Sequence, residues 1–237
     1  MNNIRKQFVN FDIPRNLQFN SRCPVLVSDS KGRYLFQQVK FDNNIKWYFR
    51  SSISCSQHLE IIKRNLPKLI QKHPKGVTLF IWLGTCDLTV KNSDGFISLS
   101  SRTNSAVYEV YSVFNQIYFL TKEFTNVNLV FIELPVYSIY WWNKLKNHSN
   151  PELFREDDSI LHAQIDLLNQ YIRDINRLLH VHSPCLSNDL IQSRKQRKRK
   201  HSFCSYSFCG YTDGIHPNDE LSKLWLLKLC RLFSVYC

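Results

Sequence analysis

A chain of 237 residues with 43% hydrophobic residues can bury one sizeable core, and a single domain is expected. Its longest apolar stretch, residues 77–83 with Thr78 inside it, falls far short of the ~20 residues of a membrane helix. Residues 1–20 lack the apolar core of a secretion signal, so no membrane contact and a cytoplasmic or nuclear location are expected.

The first predicted element is a short strand at Val25, Leu26 and Val27, broken by Ser28-Asp29-Ser30, with a helix over 34–39 after Gly32. Residues 46–49 read as an aromatic-rich strand. Over 56–71 the positions Leu59, Ile62, Leu66, Leu69 and Ile70 recur at helical spacing, with Pro67 expected to kink or restart the helix. Residues 77–83 form the best strand signal in the chain. The Ser-, Asn-, Asp- and Thr-rich residues 85–104 predict a long surface loop. A helix over 104–124 follows, carrying Val107, Val110, Tyr111, Phe114, Ile117 and Tyr118 on one face, and then a strand over 127–134 that stops at Pro135.

Residues 159–179 make the clearest amphipathic helix, with Glu156, Asp157 and Asp158 at its positive end. A last helix runs from about 219 to 232. Strands alternating with helices imply crossover connections and a parallel sheet covered on both faces.

Three short strings carry the chemistry: Ser28-Asp29-Ser30, Gly84-Thr85-Cys86-Asp87, and Asp213-Gly214-Ile215-His216-Pro217. The first two each follow an apparent buried strand. A serine, a histidine and an acid are the parts of a nucleophilic hydrolase. In the third string one tight turn can present acid and base together, Gly214 easing the bend and Pro217 biasing His216 toward extended backbone. Taken alone, that string also reads as a plain turn leading to a helix capped by Asn218 or Asp219.

The ordered strings resemble the SGNH hydrolases, the GDSL esterase and lipase family, over about residues 24–232. The resemblance implies a three-layer α/β/α sandwich with a flavodoxin-like, parallel five-stranded sheet. It implies an N-terminal extension over 1–23 and a hydrolase-like domain over 24–237, carrying a basic insertion at about 187–205. Ser30 takes the nucleophile position, although Ser28 stands where the family has glycine. His216 matches the general base and Asp213 the acid that holds it. The oxyanion hole would use the Ser30 and Ser52 amides, Ser51 or Ser52 standing where the family has a glycine after the second strand. The third donor, an asparagine amide in the family, is Cys86 here.

A thiol is a weak donor, and losing one oxyanion donor typically costs about 100- to 1,000-fold in turnover. The resemblance therefore implies weak hydrolysis of a small acyl or acetyl ester, without a cofactor. Its alternative is a non-catalytic binding module of the same fold. Cys86 reads as a buried small residue rather than a second nucleophile. Substrate walls would come from loops such as residues 85–104 and 135–158, where Tyr140, Trp141 and Trp142 either line a pocket or cover the core.

Six of the net twelve positive charges sit in one run, Arg194, Lys195, Arg197, Lys198, Arg199 and Lys200. Such a run cannot pack in a core. It reads as a nuclear-import signal bound by an import receptor, as a nucleic-acid contact, or as a solvated loop. The combination with the hydrolase strings resembles domains that some animal mobile elements encode beside nucleic-acid-handling proteins. The cysteines, at 23, 55, 86, 185, 204, 209, 230 and 237, fit no disulfide framework and read as reduced thiols. His201, Cys204 and Cys209, with Cys185 before them, match no usual zinc spacing, so no metal is expected.

Overall fold

A computed structural model of the protein describes residues 19, 21–39, 44–194 and 203–237. In chain order it contains β1 (Cys23–Ser28), α1 (Ser30–Phe36), β2 (Lys46–Phe49), α2 (Cys55–Lys72), β3 (Val77–Trp82) and α3 (Thr85–Leu88). There follow β4 (Thr89–Lys91), β5 (Ile97–Leu99), α4 (Ser105–Lys122), β6 (Val127–Phe131), α5 (Ile139–Leu145) and α6 (Arg155–Leu178). β7 (Ile191–Arg194), β8 (Phe203–Tyr206) and α7 (Asp219–Tyr236) complete the chain.

The main sheet has the order β2-β1-β3-β6, and all its pairings are parallel. Parallel neighbours need crossovers, which the helices supply on both faces. α2 packs on α4 and α4 on α6, while α1 packs on α7. The alternation of β3 divides its side chains between these layers. Phe80 and Trp82 meet Phe233 and Trp225 of α7 at ring separations of 4.5 and 5.8 Å, whereas Leu79 faces a cavity walled by Ile62, Leu66 and Leu69 of α2.

Register fixes where the functional loops emerge. Ser28 lies opposite both Phe49 and Trp82, so the segments following β1, β2 and β3 leave the sheet at one end. Ligands of open parallel sheets bind at that end.

The sheet has four strands among the described residues, not the five expected. Side chains meet the backbone groups along and beyond β6 where another strand would lie. Asn176 accepts from the Phe131 N–H at 2.9 Å and donates to the Phe131 carbonyl at 2.7 Å. Asn169 does the same for Leu134 at 2.7 and 2.8 Å. The Glu133 and Val136 amides donate to the hydroxyls of Ser183 and Ser187.

Four further expectations need correction. Residues 85–104 are not a plain loop but hold α3 and the antiparallel β4–β5 hairpin. Each of these strands is three residues long, too short for alternation to register. The stretch 135–158 likewise contains α5 and a 3-10 turn, Pro151–Phe154. Pro67 does not restart the helix, since α2 runs through it, where burial of Leu59, Ile62, Leu66 and Leu69 outweighs the missing N–H. α1 starts at Ser30 rather than after Gly32, because the Asp29 side chain caps it.

Candidate active site

Ser30 is aimed by the way β1 passes into α1. The Asp29 carboxylate accepts the Lys31 N–H at 2.9 Å and its carbonyl accepts the Gly32 N–H at 3.2 Å, an N-cap that makes Ser30 the first helical residue. An amide at that position has no carbonyl four residues back to bond within the helix. Gly32 permits the close approach: a Cβ there would lie 1.8 Å from the Ser28 hydroxyl oxygen.

The 213–216 turn is built as tightly. Asp213 Oδ1 accepts the Ile215 and His216 amides at 3.0 and 2.8 Å, and Oδ2 faces His216 Nδ1 at 2.6 Å. Gly214 has φ +90° and docks against α5, where a Cβ would lie 2.9 Å from the Trp141 Cβ. Asn218 caps α7 through the Leu221 N–H at 2.9 Å, so the same string is both a cap leader and a carrier of chemistry. His216 Nε2 lies 2.8 Å from Ser30 Oγ. The structure thus brings Ser30, His216 and Asp213 into one hydrogen-bonded line, across 186 residues of chain.

Electrostatics keep Asp213 ionised. Burial opposes its charge, but the His216 ring and the two amides outweigh burial and hold the carboxyl below its usual range. An anionic acid against Nδ1 leaves Nε2 free to accept the Ser30 proton.

Ser52 and Cys86 also come together, the Ser52 amide facing the Cys86 sulfur. Ser52 has φ +61°, the left-handed conformation that glycine adopts without a steric penalty. The reciprocal capping box of Ser54 and Gln57 and the Cys55 N–H donated to Asp87 at 2.9 Å fix the segment after Ser52. Burial, with the Asp29 charge, pushes the Cys86 thiol up despite Lys31 and the Ser52 amide. Cys86 is therefore a thiol at neutral pH, poorly suited to act as a nucleophile.

Two contributors, Lys31 and Tyr34, escaped sequence reading. Lys31 is buried, with its ammonium 2.8 Å from Asp29 Oδ2 and bonded to the Thr85 hydroxyl. This pair ties the end of β1 to α3. Tyr34 stacks on His216 with ring centroids 4.9 Å apart; its spacing of four residues from Ser30 on one helix was the available signal. Trp142 stands 6.0 Å from His216. The aromatic trio divides: Tyr140 and Trp142 are buried, while Trp141 is 37% exposed.

Residues 195–200 of the basic run lie outside the described residues, as does His201. Of that region β7 and β8 are described, paired as an antiparallel hairpin. No described helix is long and apolar enough to cross a membrane.

No protein-family model matches the chain and no curated protein matches it in sequence. Solved structures do. The chain is similar to a GDSL-like lipase from Bacteroides thetaiotaomicron, at 11% identity and a TM-score of 0.60 over 96% of this chain and 93% of that one. An acetyl xylan esterase aligns at 11% identity and TM-score 0.52, covering 87% of this chain and 96% of its own. The C-terminal catalytic domain of peptidoglycan O-acetyltransferase A from Streptococcus pneumoniae aligns at 12% identity and TM-score 0.50, covering 91% and 94%. The chain has the SGNH hydrolase fold.

Proposed function

We propose that this chain, with its SGNH hydrolase fold, is a serine esterase that cleaves small acyl or acetyl esters through an acyl-enzyme on Ser30. The observation that carries the reading is the line from Ser30 Oγ to His216 Nε2 at 2.8 Å and from His216 Nδ1 to Asp213 Oδ2 at 2.6 Å. His216 takes the Ser30 proton as Oγ attacks the ester carbonyl, and Asp213 holds the imidazole and stabilises its cation. Collapse of the tetrahedral intermediate breaks the ester C–O bond, and His216 returns the proton to the leaving alcohol. Water, activated by the same imidazole, then releases the acid from Ser30.

Negative charge on the carbonyl oxygen would be met by the Ser30 and Ser52 amides and the Cys86 S–H. The Ser52 amide faces a sulfur, a weak acceptor that an oxyanion readily replaces. Because Cys86 is a thiol and not a thiolate, it adds a weak donor rather than a repelling charge. Turnover is therefore expected about 100- to 1,000-fold below that of a site with a full amide donor there.

A fluorophosphonate probe tests the reading. It should label the protein at Ser30, and Ser30→Ala and His216→Ala should abolish labelling. Equal labelling of wild type and Ser30→Ala overturns the nucleophile assignment. No labelling of the folded protein supports instead a non-catalytic binding module.

A further inference from the structure

One wall of the site carries more positive charge than its own carboxylates balance. The Trp142 indole donates to the Gly95 carbonyl of the β4–β5 connection at 2.9 Å. Its ring has two ammonium groups over it, Lys91 at 5.6 Å and Lys146 at 5.4 Å from the centroid. Lys144 lies 5.0 Å from the Trp141 ring and 5.4 Å from the Tyr140 ring. Of the acids there, Glu152 pairs with Arg155, accepts the Tyr140 hydroxyl at 3.1 Å and also acts on Lys144, whose ammonium donates to that hydroxyl at 3.2 Å, while Asp158 accepts the Ser138 hydroxyl and the Ile139 and Tyr140 amides. Among the described residues none of the three lysines forms an ion pair. Both ammonium groups lie within 5.6 Å of one ring centre, and an anion beside them would offset the positive charge gathered there.

The chemistry says which part of a substrate this wall addresses. The imidazole that protonates a leaving oxygen lies beside it, and the Trp142 ring is 6.0 Å from the His216 ring. The leaving alcohol, not the acyl group, therefore meets the aromatic rings and the lysines. Trp141, 37% exposed, offers a face on which that alcohol can stack.

We propose that Lys91, Lys144 and Lys146, with Trp141 and Trp142, form a leaving-group subsite that selects esters whose alcohol part carries a negative charge. The inference rests on the esterase reading above and names its substrate class.

The test compares 4-acetoxybenzoate, whose leaving group is anionic, with the neutral 4-acetoxybenzamide. At low salt kcat/KM should favour the anionic ester by about tenfold, and the preference should shrink toward one in high salt. The triple variant K91Q/K144Q/K146Q should bring the ratio close to one. A wild-type ratio at or below one, or a preference that the folded triple variant keeps, overturns the proposal. If neither ester is cleaved faster than by Ser30→Ala, the esterase reading has failed, and binding then decides the subsite. Quenching of tryptophan fluorescence by 4-hydroxybenzoate but not by 4-hydroxybenzamide, lost in the triple variant, supports an anion site. Equal or no quenching by the two overturns it.

Discussion

The Tyr34 ring lies against the His216 imidazole, centroids 4.9 Å apart and planes 25° from parallel. An aromatic face favours a cation resting on it, by about 0.5–1 kcal/mol at a partly exposed site, and in the proposed mechanism His216 becomes a cation as Ser30 gives up its proton. Under that mechanism Tyr34 would help most in the transition state. Tyr34→Leu should lower kcat/KM for ester hydrolysis by about two- to fivefold, while Tyr34→Phe, which keeps the ring, should hold the wild-type value. Equal losses in the two variants would assign the effect to the hydroxyl and remove the stacking account.

Position 86 sets the expected ceiling on turnover. Its thiol sits against the Ser52 amide, where a side-chain amide could donate to the same oxyanion. Cys86→Asn should raise kcat by about 10- to 100-fold, part of the cost normally assigned to a lost donor. The gain should vanish in Cys86→Asn combined with Ser30→Ala. An active, folded Cys86→Asn protein with unchanged kcat would show that position 86 does not face the reacting carbonyl.

Much of this geometry was readable because strand ends are readable. The apolar runs that become β1 and β3 stop at Ser28 and Leu83, and parallel pairing then forces Ser30, Ser52 and Cys86 to one rim. The 213–216 turn was equally legible, since acid, glycine, histidine and proline occupy adjacent positions. Lys31 was not. A lysine after a strand reads as solvated, and its burial depends on Thr85, 54 residues away. The fifth strand was implied by the resemblance alone, since the chain itself reads as four strands; what was not legible is that Asn169 and Asn176, which look like polar interruptions of an amphipathic helix, meet the backbone of the sheet edge.

Asp29 is expected to dominate the acid sensitivity of the fold. Burial raises its carboxyl, but the Lys31 ammonium, the Lys31 amide and the Thr85 hydroxyl outweigh burial and hold it below its ordinary value. A carboxyl depressed in the folded state contributes stability that is present above its unfolded pKa, ~3.9, and lost as pH falls through the folded value. Asp29→Asn keeps an oxygen to cap α1 but strands the buried Lys31 charge, and should cost about 3–5 kcal/mol at pH 7. Urea unfolding of both proteins should show that gap unchanged down to about pH 5 and narrowing only below about pH 4. A gap that closes between pH 7 and 5 would assign the effect to another group.

The same measurement addresses the sheet edge. Asn176 is buried at 2% exposure and makes both hydrogen bonds to Phe131, whose backbone is fully buried. Asn176→Ala removes one donor and one acceptor at once, leaving an N–H and a carbonyl without partners where water has little access. Each such group costs about 1–3 kcal/mol, so a loss of about 2–6 kcal/mol is expected from the urea midpoint at constant slope. Asn176→Asp keeps the acceptor for the Phe131 N–H but turns a carboxylate oxygen toward the carbonyl, and should destabilise more at pH 7 than at pH 4, where its protonated form can donate. Hydrogen exchange at the Phe131 amide should accelerate in Asn176→Ala beyond the change in global stability. A loss below about 1 kcal/mol, with that amide still protected, would mean that another group takes over the edge and that Asn176 is not what substitutes for a fifth strand.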